Sequence, residues 1–215
     1  MGYHRAGFDV VGVDIVPQSN YPFEFVQADA LKFIQGLIVY GVGSPPYSFD
    51  AIHASPPCQA HSALNNCGWV GDGHFDLIAA TRGRLESSRV PWMIENVPGS
   101  PLHNPTILCG SMFGLRIERG YLRRHRLFES SFSLSPPCGC DHRGRAIGVH
   151  GHGAGGYRGG ETTYDPLKAR SATAEEARRL LGIDWMNRDG MAQAIPPAYT
   201  EFIGRALLNV VLARR

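Results

Sequence analysis

The residues best suited to chemistry in this sequence surround a cysteine that follows two prolines. The β-prone run at residues 49–54 stops at Pro56 and Pro57, and Cys58 comes directly after them. A strand that ends in this way delivers the next side chain into a cleft at the carboxyl edge of a sheet. Cys58 is therefore a candidate nucleophile, and the alternative is a small buried cysteine without reactivity.

Charged side chains interrupt two later segments. Glu95 lies near the end of the apolar run at residues 90–97, where a carboxylate is costly to bury unless it has a partner or a task. Arg124 and Arg126 lie in residues 123–128, which we interpret as a strand with both arginines on one face. The alternatives are a structural ion pair for the acid and a solvated edge strand for the arginines.

Two aspartates close the first two strands that the sequence predicts. Asp14 ends the run at residues 10–14, and Asp29 ends the run at residues 23–29. In nucleotide-binding α/β folds, an acid at such a position accepts hydrogen bonds from ribose hydroxyls. Both aspartates are candidates for contact with one cofactor across the strand ends, and the alternative is an ordinary turn residue.

Residues 131–164 are rich in glycine, proline, cysteine and histidine and lack periodicity, which indicates a small inserted subdomain. The side chains in it with zinc-ligand chemistry are Cys138, Cys140, His142, His150 and His152. Their spacing matches no standard zinc motif. A glycine-rich loop with incidental histidines and no metal is therefore our first interpretation, with the five residues kept as zinc candidates.

Composition sets the class of protein. The 215 residues are enough for one sizeable domain, or for a domain with a small appendage. No apolar run reaches the length of a membrane span, and the amino terminus lacks a signal-peptide pattern, so we expect a cytoplasmic protein whose five cysteines are reduced. The net charge of +2 does not by itself indicate a polyanionic partner, but arginines cluster locally at residues 116–126 and 143–145.

The remaining pattern predicts an α/β framework. Helices are expected at residues 30–37 and 75–87, from a capping box at Thr173 through Leu181, and after Pro197. Short strands and turns are expected at residues 106–115.

Taken in order, these segments resemble the cytosine-5 DNA methyltransferases over nearly the whole chain. The matching pieces are Val11-Gly12-Val13-Asp14, Ala28-Asp29-Ala30, Ser55-Pro56-Pro57-Cys58-Gln59, Glu95-Asn96-Val97, Arg124-His125-Arg126, residues 173–182 and Ala194-Ile195-Pro196-Pro197. Pro-Cys-Gln and Glu-Asn-Val, correctly ordered, are highly specific as a pair. The resemblance implies a Rossmann-like α/β fold, S-adenosylmethionine as the cofactor and duplex DNA as the partner.

The resemblance also implies a role for each site residue. Cys58 would add to carbon 6 of a flipped cytosine, which makes carbon 5 able to attack a sulfonium methyl group. Glu95 would bind ring nitrogen 3, and Arg124 and Arg126 would stabilise charge at the exocyclic oxygen. Cofactor contacts are expected from Asp14, Ile15, Asp29 and Pro57.

By the same resemblance, residues 1–130 form the catalytic domain, residues 131–170 a small target-recognition insert, and residues 171–215 helices that complete the catalytic domain. The sequence departs from the family at three places. The first strand and the Phe-X-Gly-X-Gly loop have no counterpart, Leu122 stands where the family has Gln, and Ala192-Gln193 stands where it has Gly-Asn. We therefore expect a sheet without its first strand. The alternative functions are RNA cytosine-5 methylation and an inactive nucleic-acid-binding remnant.

Overall fold

The computed structural model describes residues 1–40, 48–57, 77–150 and 170–215. The chain divides into two compact units of mixed α/β structure, in agreement with the predicted α/β class. Unit 1 comprises Met1–Phe8, Leu108–His125 and Pro136–Arg205. Unit 2 comprises Asp9–Ile107, Arg126–Ser135 and Ala206–Arg215. The residues of the predicted insert are therefore divided between the units, most of them in unit 1.

Helices and strands are numbered in chain order over the described residues. Strands β1 to β10 are Val11–Asp14, Glu24–Gln27, Ile52–Ala54, Trp92–Asn96, Thr106–Leu108, Arg116–Ile117, Gly120–Leu122, Arg126–Ser130, Ala146–Gly148 and Arg170–Ser171. Helices α1 to α6 are Gly2–Arg5, Ala30–Tyr40, Ile78–Ser88, Ala174–Leu181, Arg188–Gln193 and Pro197–Leu212. None of these helices combines the length and the apolar character that crossing a lipid bilayer requires.

Unit 2 contains two sheets among its described residues. β1 pairs in parallel with β2, so that Asp14 lies opposite Gln27. The other sheet has the order β3-β4-β8-β5, with β3 parallel and β8 antiparallel to β4. Every residue of β4 is buried, which explains why the strand opens on three consecutive apolar residues and not on an alternating pattern. Glu95 and Asn96 are thereby carried to the end of a buried strand.

Unit 1 contains a sheet of order β10-β9-β7-β6, in which β9 is parallel to both of its neighbours. Its apolar core joins this sheet to α4 and α5 through Leu122, Ile147, Val149, Ala172, Ala177, Leu180, Leu181, Ile183 and Met191. The predicted capping box begins α4: Glu176 N donates to Thr173 Oγ1 at 3.2 Å, and Thr173 N donates to Glu176 Oε2 at 2.9 Å. Gly182 ends the helix in the left-handed conformation, with φ of 67°.

One local prediction is wrong, and a second is confirmed only for its first strand, β5. Residues 123–128 are not one strand, because β7 ends at Leu122 and β8 begins only at Arg126. The Tyr199 hydroxyl donates to the Arg124 carbonyl at 2.7 Å, so a side chain takes the place of a neighbouring strand there. A 3₁₀ turn, Gly110–Phe113, replaces part of the strand and turn expected at residues 106–115. At that turn, a Cβ on Gly110 would collide with the Leu122 carbonyl, so the close approach requires glycine.

A buried ion pair connects α3 to β8 within unit 2. Glu129 is 5% exposed and accepts from Arg82 Nε at 2.6 Å, from Arg82 Nη2 at 2.8 Å and from the His103 backbone N at 2.8 Å. Burial alone would raise the pKa of Glu129, but the hydrogen bonds from Arg82 and His103 hold the pKa below its usual value. The carboxylate is therefore charged, buried and dependent on its partner.

Replacing Arg82 with Met is expected to lower the free energy of unfolding by about 3–5 kcal/mol, because it leaves Glu129 buried and charged without its main partner. The double variant Arg82→Met/Glu129→Met should lose less than the single variant, since no charge is left behind. Urea unfolding measures both. Arg84→Met is the control, because Arg84 lies on the same helix and, among the described residues, donates to the Ala80 carbonyl and not to an acid. Strictly additive losses in the double variant would contradict this account.

Candidate functional site

The carboxyl ends of β3 and β4 lie side by side because the two strands are parallel. β3 leads through Pro56 and Pro57 toward Cys58, and Cys58 itself lies outside the described residues. Asn96, which is 1% exposed, donates from Nδ2 to the Pro56 carbonyl at 3.0 Å and accepts at Oδ1 from Val97 N at 2.9 Å. A buried amide on one strand therefore fixes the segment of the other strand that precedes the candidate nucleophile.

Glu95 and Arg126, both predicted site residues, form an ion pair within unit 2. Arg126 Nε lies 3.0 Å from Glu95 Oε1, and the side chains are 16% and 9% exposed. The pairing follows from the register of β4 and β8, in which Glu95 lies opposite Phe128 and Asn96 opposite Leu127. A carboxylate that is held by a guanidinium in a nearly dry setting has a fixed orientation. The pair can present a hydrogen-bonding acid and a cation to one ligand.

Arg124, the other predicted arginine, has different surroundings in unit 1. Its side chain is buried, and its guanidinium donates to the Ala192 carbonyl at 2.5 Å and to the Val149 carbonyl at 3.4 Å. These acceptors are uncharged main-chain groups on neighbouring segments of the same unit. These contacts show Arg124 holding backbone segments together, and its predicted contact with a substrate oxygen stays a prediction.

Asp14 closes β1 and organises the turn that follows. Its Oδ1 accepts from Val16 N at 2.9 Å, and its Oδ2 accepts from Gln18 Nε2 at 3.0 Å. The first bond is that of an Asx turn, the structural alternative foreseen for this residue. The side chain of Ile15 is 66% exposed, and its carbonyl accepts from Gln27 Nε2 at 3.2 Å. The ends of β1 and β2 are thus tied together by polar side chains.

Asp29 lies one residue before α2 and caps that helix. Its Oδ1 accepts from Leu31 N at 2.9 Å and from Lys32 N at 3.1 Å, which satisfies two backbone donors of the first turn. Both bonds end on Oδ1, so helix capping does not occupy Oδ2. Pro57, the remaining predicted cofactor residue, is exposed after β3.

A cluster of cysteines and histidines lies in unit 1. The side chains of Cys109, His125, Cys140 and His142 converge, with one ligand atom from each within 4.8 Å of all the others. Cys140 and His142 were among the five zinc candidates, whereas Cys109 and His125 were not. Cys138 does not belong to the cluster; its sulfur lies 3.9 Å from the Met112 carbonyl.

The other two zinc candidates are separate from this cluster. His150 is described and exposed but is not a member, and His152 lies outside the described residues. The two new members were missed because Cys109 follows a short strand and His125 stands between two arginines that a motif already explained. No sequence spacing connects ligands that lie so far apart along the chain.

Unit 1 also carries a basic cleft of about 300 Å³. Its lining residues are Arg116, Ile117, Glu118, Arg119, Gly120, Tyr121, Arg143, Gly144 and Arg145. Four arginines against one glutamate give the cleft a positive charge, although the net charge of the chain is only +2. Two arginines from each cluster noted in the sequence therefore line one cleft.

Comparisons with known proteins give no family for this chain. No protein-family model matches it, and a search of the curated proteins finds no match.

His53 lies on β3, next to the candidate site. Its Nε2 is 3.2 Å from Ser55 Oγ, and its ring packs edge-on against Phe128 with 6.4 Å between centroids. Burial lowers the pKa of His53 to about 4, so the ring is neutral at physiological pH.

Stability is expected to fall on acidification because of His53. Between pH 6.5 and about 4 the unfolded chain binds a proton at this residue that the folded chain does not, so stability decreases as pH falls. The slope from one such proton is about 1.4 kcal/mol per pH unit. Replacing His53 with Gln should remove that slope between pH 6 and 5, measured by urea unfolding at each pH. Parallel curves for the two proteins would show that His53 is not responsible.

Proposed function

We propose that this chain is a DNA cytosine-5 methyltransferase that uses Cys58 as its nucleophile. The observation that carries the proposal is the Glu95–Arg126 ion pair at the end of β4, beside the strand that leads to Cys58. A thiol together with a buried acid and a guanidinium are the groups that addition to a cytosine ring requires. The resemblance of the ordered motifs supports the same assignment.

The chemistry assigns one task to each residue. The Cys58 thiolate forms a bond to carbon 6, and the electron pair of the 5,6 double bond becomes available at carbon 5. Glu95 is ion-paired with Arg126 and must take up a proton before it donates a hydrogen bond at ring nitrogen 3, where negative charge develops during the addition. Arg126 holds the Glu95 carboxyl in place and would offer its positive charge to the exocyclic oxygen of the base. Once carbon 5 has used that electron pair to bond an electrophile, loss of its original proton to solvent and departure of the Cys58 thiolate restore the 5,6 double bond.

The residues at the end of β1 fit S-adenosylmethionine, which supplies an electrophilic methyl group when bound. Asp14 Oδ1 is fixed by a backbone donor, whereas Oδ2 accepts from the flexible Gln18 amide. A ribose hydroxyl donates to a carboxylate in the same way as that amide, and it could replace the amide. The exposed Ile15 offers an apolar contact beside it, and Asp29 Oδ2 could accept from the adenine amino group.

The strand pairing supports a Rossmann-like sheet. In a doubly wound sheet of order 3-2-1-4-5, the first strand lies between the second and the fourth. If the first strand of that general order is removed, its second and third strands remain as one parallel pair, and its fourth and fifth strands remain as another. β1 and β2 form one parallel pair and β3 and β4 another, in separate sheets.

The basic cleft of unit 1 supports a nucleic-acid partner. Phosphate contacts provide most of the sequence-independent affinity for DNA, and arginine is the residue that binds phosphate with two hydrogen bonds. Arg116, Arg119, Arg143 and Arg145 converge there. Unit 1 also contains most of the segment expected to recognise the target sequence.

The proposal is tested by release of tritium from carbon 5 of cytosine, which needs no methyl donor. Reversible addition of Cys58 to carbon 6, protonation at carbon 5 and loss of the original hydrogen transfer the label to water. We expect release from duplex DNA, reduction to background in Cys58→Ser, and about 10²-fold or greater reduction in Glu95→Gln. Cys138→Ser, an exposed cysteine outside the Cys109 cluster, is the matched control and should remain active.

The choice of substrate decides between the alternatives. Release from transfer RNA but not from DNA would replace the proposal with an RNA methyltransferase. Release by Cys58→Ser equal to that of the unchanged chain would refute the nucleophile. No release from duplex DNA, single-stranded DNA or RNA would leave the proposed chemistry without support and favour a binding protein.

Replacing Asp14 with Ala is expected to weaken S-adenosylmethionine binding at least about tenfold, since one charge-assisted hydrogen bond is worth about 1.5–3 kcal/mol. Gln18→Ala should bind as tightly as the unchanged chain or more tightly, because the Gln18 amide competes with ribose for Oδ2. Asp9→Ala, an exposed aspartate just before β1, is the control. Calorimetry gives the affinities. Equal weakening by Asp9→Ala and Asp14→Ala would remove Asp14 from the cofactor site.

A further inference from the structure

We propose that Cys109, His125, Cys140 and His142 bind a structural zinc ion. All four belong to unit 1, and their sulfur and ring nitrogen atoms lie within 4.8 Å of one another. Two thiolates and two imidazoles are a common ligand set for tetrahedral structural zinc. The inference does not depend on the proposed methyl transfer, because no member of the cluster takes part in that chemistry.

The separations within the cluster fit a tetrahedral ion. Cys109 Sγ lies 3.6 Å from His142 Nε2, and Cys140 Sγ lies 3.6 Å from His125 Nε2. Zinc with Zn–S bonds of about 2.3 Å and Zn–N bonds of about 2.0–2.1 Å would place sulfur and nitrogen about 3.5–3.6 Å apart at tetrahedral angles. A thiol–imidazole hydrogen bond has a similar length. Two such bonds alone do not require all four atoms to converge on one point.

Neighbouring side chains orient the ligands. Ser111 Oγ donates to Cys109 Sγ at 3.4 Å and accepts from Asp141 N at 3.2 Å, so one hydroxyl links the buried cysteine to the loop that carries the other ligands. The Tyr121 ring stacks on His142 with 6° between planes, and its hydroxyl donates to the His142 carbonyl at 3.2 Å. Outer contacts of this kind fix ring orientation in known metal sites.

The loop that supplies two of the ligands is not held in place by burial of apolar side chains. Residues 136–145, the part of the loop that belongs to unit 1, contain no helix or strand, and none of them is buried. Coordination by Cys140 and His142 would attach the loop to the buried Cys109, as a metal does in small domains with little core.

A structural ion fits better than a catalytic one. The protein provides four ligands, which fill a tetrahedral shell, whereas a catalytic zinc keeps one position for water or substrate. Cys109 is fully buried, so its thiolate is not placed to attack a substrate in solution. Zinc is preferred to redox-active metals because it has no redox chemistry and accepts this geometry without cost.

Elemental analysis of the full chain, purified in reductant and given equimolar zinc before gel filtration, tests the proposal. We expect about one zinc per chain. Cys140→Ser and His142→Ala should retain at least fivefold less, and both side chains are exposed, so the variants are expected to fold. Cys138→Ser is the matched control, because Cys138 is exposed and close in sequence but outside the cluster, and it should retain full zinc.

Cobalt gives a second readout that is independent of zinc retention. Co²⁺ in the unchanged chain and in Cys138→Ser should show the intense visible bands of a tetrahedral thiolate site, and these should be lost in Cys140→Ser. The proposal is overturned if the unchanged chain retains no zinc, or if Cys140→Ser and Cys138→Ser retain equal amounts. It is also overturned if only three of the five thiols titrate after denaturation, because a Cys109–Cys140 disulfide would account for the missing two.

Discussion

A charged carboxylate at the end of a fully buried strand requires a charged partner, and this requirement constrains how the neighbouring strand pairs with it. Glu95 is 7% exposed on a strand whose five residues are all buried, and a buried carboxylate without a partner would cost several kcal/mol. Arg126 meets that requirement because it opens β8, and β8 runs antiparallel to β4 in the one register that brings the guanidinium to the acid. The same strand carries Glu129, whose partner is Arg82 on α3. In unit 2, the register of β8 on β4 brings Arg126 to Glu95, and the position of α3 brings Arg82 to Glu129.

Unit 1 obtains order from polar contacts at places where it lacks apolar ones. Arg124 is only two residues from Arg126, yet its guanidinium binds main-chain carbonyls from two other segments, and its own carbonyl accepts from Tyr199. His125, between the two arginines, joins the cysteine and histidine cluster. Residues 124–126 thus make three different kinds of contact. They can do so because the break between β7 and β8 means that the three residues do not lie on one strand. A continuous strand would have placed both arginines on one face and His125 on the other.

Local sequence signals predicted the elements that depend on local physics. The capping box at Thr173, the buried strand around Ile94 and the helix after Pro197 were all readable from spacing and residue type, because their causes lie within a few residues. Glu95 and Arg126 were each singled out, but their contact depends on strand register. The bond from Asn96 to the Pro56 carbonyl and the convergence of Cys109 with His142 were not predictable, since each joins segments far apart in the chain. Alternation did not predict the break before Arg126, where the Arg124 carbonyl accepts from the distant Tyr199 hydroxyl.

Structural and functional interpretations of the same residue need not exclude each other here. Asp14 forms an Asx turn through Oδ1, and Asp29 caps a helix through Oδ1, which are the ordinary roles of aspartate at such positions. In each aspartate, the hydrogen bond to Oδ1 fixes the orientation of the carboxylate, and this in turn determines the direction in which Oδ2 accepts a hydrogen bond. Glu95 follows the same logic, because its ion pair with Arg126 is what gives the carboxyl a single orientation. An acid that must act on a ring in a dry site needs its geometry set before the ligand arrives. The structural contact is then a condition for the chemistry, and finding it does not argue against the functional role.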